Sequence, residues 1–137
     1  MQYVIFYISL LLTGVVLQAQ NTIAVQMTNF DNDLGTVRVG LYTSEATWLE
    51  KEARTLVAEI KGQEANVRFT NVPDGTYAVS CFHDEDNDGV FDMFLNFLPR
   101  EDYGCSNGAV GRFGPPKWQD AKFEVSNGTI RRLTINL

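Results

Sequence analysis

The 137-residue sequence has few of the residues on which several common functions depend. It contains 11 Lys and Arg against 17 Asp and Glu, a formal charge of −6, which argues against a nucleic-acid binder because such affinity comes largely from basic residues. One histidine and two cysteines fall short of the three or four ligands that a recognisable zinc site needs. Hydrophobic residues nevertheless make up 45% of the chain, whose length is that of one globular domain.

The first twenty residues contain no Asp, Glu, Lys or Arg. Their apolar run of about 15 residues is shorter than the ~20 residues that a membrane-spanning helix needs. The small residue Ala19 closes the segment, which is typical of a signal peptide cleaved before Gln20. We therefore expect a signal peptide over residues 1–19 and a single mature domain over residues 20–137. An uncleaved membrane anchor is the alternative.

Apolar and polar residues alternate in seven short stretches separated by turn signals, a pattern typical of β-strands. The residues expected to share the inward faces are Ile23, Val25 and Met27; Val37, Val39 and Leu41; those of the run 56–61; Val67 and Phe69; Tyr77, Val79 and Cys81; Phe123 and Val125; Leu133 and Ile135. This pattern predicts an all-β fold, an antiparallel β-sandwich of immunoglobulin-like or transthyretin-like type. Asn127-Gly128 predicts a tight hairpin turn, and residues 44–54 are the one helical candidate.

About 37 residues between Phe82 and Asp120 show no clear alternation, which is long for a plain connection in a compact domain. The segment is rich in aromatic residues, so we expect it to pack against the sandwich. It is therefore predicted to be one long, ordered loop. Its acidic beginning indicates that a cation organises it.

The sequence DEDNDGVFD, residues 84–92, has aspartates at positions 1, 3, 5 and 9 and a glycine at position 6. Calcium takes 6–8 oxygen ligands, and the EF-hand loop uses this spacing with glycine at position 6. Position 12, which carries glutamate in an EF-hand, is Leu95, so Glu101 or Asp102 must supply the remaining ligand. The predicted calcium ligands are Asp84, Asp86, Asp88, the carbonyl of Val90, Asp92 and Glu101. A solvated acidic turn without a metal is the alternative. Magnesium is a less suitable ion than calcium, because crowded and flexible carboxylates do not give the regular geometry that it requires.

Two further predictions concern residues close to this loop. His83 directly precedes it, and its imidazole is either a metal ligand, an acid or base, a buried polar group of the core, or a side chain that hydrogen-bonds and orients the ligand Asp84. In an oxidising compartment, Cys81 and Cys105 are expected to form a disulfide. Two buried free thiols are the alternative.

The chain from residue 75 onward carries an ordered set of motifs. They read Gly75-Thr76-Tyr77-Ala78-Val79, His83-Asp84-x-Asp86-x-Asp88-Gly89-x-x-Asp92, Pro99-Arg100-Glu101-x-Tyr103-Gly104-x-Ser106-Asn107 and Phe113-Gly114-Pro115-Pro116. Together they resemble the secreted bacterial family called domain of unknown function 2141. The resemblance implies a secreted β-sandwich and no known activity. Members usually carry Asn where Asp86 and Asp88 stand. Many have an aromatic residue where this chain has Cys105, and that departure, together with Cys81, supports a disulfide particular to this chain.

We therefore expect a secreted or periplasmic, calcium-stabilised β-sandwich that acts as a binding or accessory module of the cell envelope, without catalysis. Its partner is expected to be an envelope protein or a glycan, with no nucleic acid and no stable membrane span after signal cleavage. One alternative is a small metal-assisted hydrolase that uses His83 with Asp84 or Glu101 as acid and base. Another is a structural partner that pairs strands with a larger envelope protein.

Overall fold

The computed structural model describes residues 20–94 and 98–137, and the predicted signal peptide over 1–19 lies outside them. The elements in chain order are β1 (Asn21–Thr28), β2 (Thr36–Tyr42), β3 (Arg54–Glu59), β4 (Glu64–Val72), β5 (Gly75–Asp84), β6 (Met93–Phe94), β7 (Leu98–Pro99), β8 (Tyr103–Cys105), α1 (Trp118–Ala121), β9 (Phe123–Val125) and β10 (Ile130–Asn136). The two sheets of the sandwich have the orders β10-β1-β4 and β3-β2-β5-β8, with β9 also paired to β5, and β6 pairs separately with β7. The predicted β-sandwich is confirmed.

The core lies between the two sheets and is built from the inward-facing residues of each strand. Successive side chains of a strand point to opposite faces, so alternate residues are buried together. Two of the predicted stripes are at most 1% exposed, namely Ile23, Val25 and Met27 in β1 and Val37, Val39 and Leu41 in β2. The inward faces of these strands were therefore predicted correctly from the alternation.

The last two strands do not form the predicted hairpin. Asn127 and Gly128 do make a tight turn, with φ values of 62° and 66°. The strands on either side of it belong to different sheets, however, because β9 pairs with β5 while β10 runs parallel to β1. The turn residues specify a local reversal of the chain but not the partner of the strand that follows.

The helix predicted over residues 44–54 is wrong: that segment contains one 3₁₀ turn, Glu45–Thr47. Leu49 has a φ of 59°, a left-handed conformation that interrupts a right-handed helix. The segment is placed instead by Trp48, whose ring packs edge-on against Tyr42 with 4.9 Å between ring centroids. Its indole N–H also donates to a carbonyl oxygen of the long loop at 2.7 Å. Packing of one tryptophan thus outweighs the helix propensity of its neighbours.

The second part of the long segment after β5 is ordered by hydrogen bonding and packing. It returns to the sheet as β8, followed by Ser106, whose side chain is fully buried. The Ser106 hydroxyl accepts the N–H of Val79 (3.0 Å) and donates to the carbonyl oxygen of Ala121 (2.6 Å), so it connects β5 to α1. The stretch that remains for a cation to organise lies between the end of β5 and β8.

Cys81 and Cys105 are both buried and are not bonded to each other, so the predicted disulfide is wrong. In the register of β5 and β8, Cys105 lies opposite Ser80 and Cys81 lies opposite Gly104. Residues directly opposite each other share a face, whereas neighbours along a strand point to opposite faces. The thiol of Cys81 therefore joins the core between the sheets, and that of Cys105 packs on the outer face.

Candidate metal centre

The predicted calcium loop begins where β5 ends. Asp84 is the last residue of that strand, and its side chain is fully buried. The chain then coils tightly, because Asn87 and Gly89 adopt left-handed conformations with φ values of 56° and 78°. A Cβ at residue 89 would lie only 3.0 Å from the guanidinium of Arg38. The glycine at position 6 therefore permits both the turn and the close approach of this arginine.

Asp84 is held in place by the protein itself. Its carboxylate accepts the Nε–H of Arg38 (2.9 Å) and the backbone N–H groups of Gly89 (3.0 Å) and Asp88 (3.2 Å). Burial acts to raise the pKa of Asp84, but the hydrogen bonds from Arg38 and Gly89 outweigh it and hold the pKa below the ordinary aspartate value. Asp84 is therefore a charged and fixed oxygen donor at neutral pH.

The structure brings the five predicted carboxylates together in two overlapping groups. Asp84, Asp86 and Asp88 form one, and Asp86, Asp92 and Glu101 form the other. Within each group, one ligand oxygen per residue lies within 4.8 Å of the others. Glu101 comes from the returning chain and accepts the backbone N–H of Asp92 at 3.0 Å. The five side chains therefore surround two adjoining positions that a cation could occupy, and Asp86 faces both.

The electrostatics of these groups favour a positive charge between them. Burial and the negative charges of Asp92, Asp84 and Asp86 raise the pKa of Glu101, although the N–H of Asp92 acts in the opposite direction. The N–H of Asp88 lowers the pKa of Asp86, but desolvation and the neighbouring carboxylates outweigh it, so this pKa is raised as well. Each raised pKa means that the ionised form is disfavoured by its surroundings. A divalent cation would remove that penalty.

The other predicted ligand positions are placed less directly. The backbone N–H of Val90 donates to the Asp88 carboxylate (2.8 Å), which closes the coil, and the Val90 side chain is exposed. Leu95, at position 12 of the motif, lies outside the described residues. Asp102, the other downstream carboxylate, belongs to neither group.

His83 is fully buried immediately before the loop. Its Nε2 lies 2.6 Å from the carbonyl oxygen of Leu34, and its ring meets that of Phe30 edge to face, with centroids 5.3 Å apart and planes at 88°. The side chain that hydrogen-bonds Asp84 is Arg38. His83 therefore faces the turn between β1 and β2, whereas the calcium loop lies on the other side of β5.

Two residues that were not predicted from the sequence also support the loop. Arg38 lies between the buried Val37 and Val39 of a central strand, so its side chain points to the opposite face, where a polar residue is ordinary and gives no signal. Gly35 has a φ of 65°, and a Cβ there would overlap the carbonyl oxygen of Asp84. No local signal reveals this second contact, because it arises from the pairing of β2 with β5.

Comparisons with known proteins give one match. A bacterial family model, described as uncharacterized protein conserved in bacteria (DUF2141), matches residues 25–132, which span both sheets and the acidic loop. The comparisons with curated proteins and with solved structures give no match. Within the described ranges, no helix is long and apolar enough to cross a membrane.

Proposed function

The chain belongs to the bacterial family DUF2141, and on that premise we propose that it is an exported, calcium-stabilised β-sandwich that serves as a binding or accessory module of the cell envelope. The observation that carries the proposal is the convergence of five carboxylates, in two groups that share Asp86, at the end of β5. The family description assigns no activity, so the chemistry of this loop supplies the support.

The donor set suits calcium better than magnesium. Calcium takes about 6–8 oxygen ligands at roughly 2.3–2.6 Å in a flexible arrangement, in which a carboxylate binds through one oxygen or two. The three carboxylates of either group supply part of such a shell, and the neighbouring carboxylates, the carbonyl of Val90 or water molecules would supply the rest. Magnesium demands a near-ideal octahedron and keeps several waters, which a coil of closely spaced aspartates does not favour.

A bound calcium would fix a small aromatic surface beside the loop. Phe91 packs against Phe82 of β5 and Tyr103 of β8, with ring centroids 5.3 Å and 5.8 Å apart, and all three residues are only partly buried. Phe91 directly precedes the predicted ligand Asp92, so coiling of the loop around an ion sets the position of its ring. We infer that this surface of three aromatic rings contacts an envelope protein or a glycan.

The proposal assigns no catalytic step. The ring of His83, on which the hydrolase alternative depends, is fully buried, and an acid or base must reach the substrate. The strand-pairing alternative favours an edge strand without charge, whereas the edge strand β3 begins with Arg54 and ends with Glu59. The edge strand β10 likewise carries Arg131 and Arg132.

Calorimetric titration with CaCl₂, combined with thermal unfolding in calcium and in EDTA, tests the metal site. We expect about one equivalent bound with Kd between ~10⁻⁶ and ~10⁻³ M and a higher unfolding midpoint in calcium. Asp88→Asn should weaken binding, whereas Asp120→Asn removes an exposed carboxylate of α1 and should leave it unchanged. The absence of both binding heat and an EDTA effect would contradict the site.

Binding to an array of envelope glycans and to isolated envelope proteins tests the role of the aromatic surface. We expect a signal that EDTA removes and that Phe91→Ala abolishes while calcium binding is retained. Asp120→Asn serves as the control and should keep the signal. If no ligand binds in a calcium-dependent manner, the calcium is structural only and the binding role is wrong.

A further inference from the structure

A shallow depression lies on the outer face of the sheet that contains β2 and β5, and its floor is Gly40. In the strand register, Gly40 lies opposite Thr55 of β3 on one side and Ser80 of β5 on the other. Residues directly opposite each other share a face, so two hydroxyl side chains flank a residue that has no side chain. A Cβ at residue 40 would lie 3.1 Å from the ring of Tyr42 and 3.3 Å from the Cβ of Glu52. The glycine therefore leaves a hollow of about 100 Å³ in the middle of the sheet.

One end of this depression is formed by Arg38 and Phe82, which lie opposite each other in the next row of outward-facing residues. The Nε–H of Arg38 donates to the buried carboxylate of Asp84 at 2.9 Å, which fixes the guanidinium. Its terminal nitrogens make no hydrogen bond to any other residue that the structure describes, and 33% of the side chain is exposed. Gly89 of the calcium loop also borders the depression. Arg38 therefore presents fixed, unused N–H donors beside the loop.

The side of the depression on β3 supplies acceptors. The Thr55 hydroxyl donates to Oε1 of Glu52 at 3.1 Å, and both side chains are exposed. A hydroxyl that donates in this way keeps lone pairs that can accept, and the second oxygen of the Glu52 carboxylate is an acceptor as well. The charge of Arg38 is balanced by Asp84, so Glu52 leaves the surroundings of the depression without a net positive charge.

We propose that this depression binds one neutral sugar ring of an envelope glycan, an inference that rests on the proposed envelope-binding role. Sugar hydroxyls both donate and accept, so they can use the N–H groups of Arg38 together with the oxygens of Glu52 and Thr55. The C–H face of a sugar ring is apolar and packs against an aromatic ring such as that of Phe82. Phe82 also belongs to the surface that it forms with Phe91, so a longer glycan can continue from the depression onto that surface.

The lining favours a neutral sugar over other occupants. An apolar anchor side chain of a protein would cover the guanidinium of Arg38 and the carboxylate of Glu52 without hydrogen-bonding them, which is costly. An anionic ligand would meet the charges of Glu52 and of the acidic loop. A cationic ligand would be repelled by Arg38, whereas a neutral ring with several hydroxyls meets none of these penalties.

The first test uses the calcium-saturated protein on an array of neutral oligosaccharides, with uronic-acid and amino-sugar oligosaccharides of the same length beside them. We expect the neutral members to be retained most strongly. Titration with the neutral oligosaccharide that gives the strongest signal, followed in a ¹H–¹⁵N correlation spectrum, should shift the amide signals of Gly40, Thr55 and Ser80. Absence of binding to every neutral oligosaccharide, or shifts confined to other residues, would overturn the proposal.

Three variants test the lining. Gly40→Ala raises the floor without changing charge and should weaken binding of that oligosaccharide at least about tenfold, because the ring of Tyr42 and Glu52 leave little room for the added methyl group. Glu52→Ala should weaken it by about tenfold, and Thr55→Val by about two- to tenfold, since each removes a hydrogen-bonding group at an exposed position that folding does not require. Full affinity in Glu52→Ala and Thr55→Val would refute this lining even if Gly40→Ala failed to fold.

Matched controls make the same chemical changes elsewhere on the surface. Thr70→Val removes an exposed hydroxyl from β4 of the other sheet, and Glu124→Ala removes an exposed carboxylate from β9. Both should keep glycan affinity within about twofold. A loss in the controls equal to that in Thr55→Val and Glu52→Ala would show that the effect is not local to the depression and would overturn the site.

The same measurements in EDTA separate this inference from the calcium proposal. Since the calcium loop borders the depression through Gly89, we expect EDTA to remove the glycan signal. Glycan binding that persists in EDTA and is still lost in Gly40→Ala would support the depression and contradict its dependence on calcium. Calorimetric calcium binding without any glycan signal would leave the metal site standing and overturn the sugar site. Binding of an isolated envelope protein that Phe91→Ala abolishes and Gly40→Ala leaves intact would identify a protein partner and likewise overturn it.

Discussion

Replacement of Glu101 by Gln should have opposite effects on the metal-free and the calcium-bound protein. Glutamine keeps an oxygen that accepts the N–H of Asp92 but loses the charge that faces two other carboxylates within 4.8 Å. At that distance each repulsion is about 0.9 kcal/mol in water and about 0.5 kcal/mol after screening at 0.15 M salt. We therefore expect the metal-free variant to be about 1 kcal/mol more stable, a rise of roughly 4 °C in Tm.

Calcium affinity should fall in the same variant. A divalent ion about 2.4 Å from a carboxylate oxygen gains about 3.5 kcal/mol even at the dielectric constant of water. The amide oxygen of glutamine remains a ligand and keeps part of this energy. We therefore expect a loss of about 10- to 100-fold in affinity, or roughly 1.4–2.8 kcal/mol.

Thermal unfolding in EDTA and calorimetric titration with CaCl₂ measure the two effects separately. Glu124→Gln, on the exposed face of β9, is the matched control and should change neither quantity. A lower Tm of Glu101→Gln in EDTA would refute the repulsion argument. Unchanged calcium affinity would show that the returning chain does not complete the site.

Three other predictions follow from the same geometry. Gly35→Ala should destabilise the protein by at least about 2 kcal/mol in thermal unfolding, because a Cβ there overlaps the carbonyl oxygen of Asp84 at a positive φ. Dithiothreitol should leave Tm unchanged, because Cys81 and Cys105 are free thiols; a loss approaching ~3 kcal/mol would indicate a disulfide. Acidification through the raised pKa of Glu101 should weaken calcium binding but stabilise the metal-free protein, because that carboxyl then takes up a proton more readily when folded. Calorimetry and unfolding over a pH series would show slopes of opposite sign.

The strands and the acidic loop could be predicted because their signals are local. Alternation along β1 depends on which residues of one strand face the core, and the spacing of Asp84, Asp86, Asp88 and Asp92 depends on one coil of the chain. Glu101 could also be predicted, because a motif without its last ligand requires a further carboxylate downstream. Strand faces and the clustering of carboxylates along one coil are therefore readable in single segments.

The wrong disulfide and hairpin predictions concern how distant segments meet. The disulfide prediction used the compartment and the number of cysteines, but the register of β5 against β8 decides the face of each thiol. The hairpin prediction used Asn127-Gly128, but the partner of β10 is the first strand of the chain. Gly35 likewise acquires its role only when β2 pairs with β5. Each of these outcomes depends on a pairing between strands that turn residues and composition do not specify.

The alternation of side chains also explains why His83 does not hydrogen-bond Asp84. At the end of β5, His83 faces the core and the turn after β1, whereas Asp84 faces Arg38 and the coil that follows. Glu85 then returns to the side of His83, with its Oε1 3.8 Å from Nδ1. The period of two therefore divides the acidic stretch between two faces of the sheet. Of these alternate residues, Asp84, Asp86 and Asp88 enter the two carboxylate groups, whereas His83 and Glu85 enter neither of them.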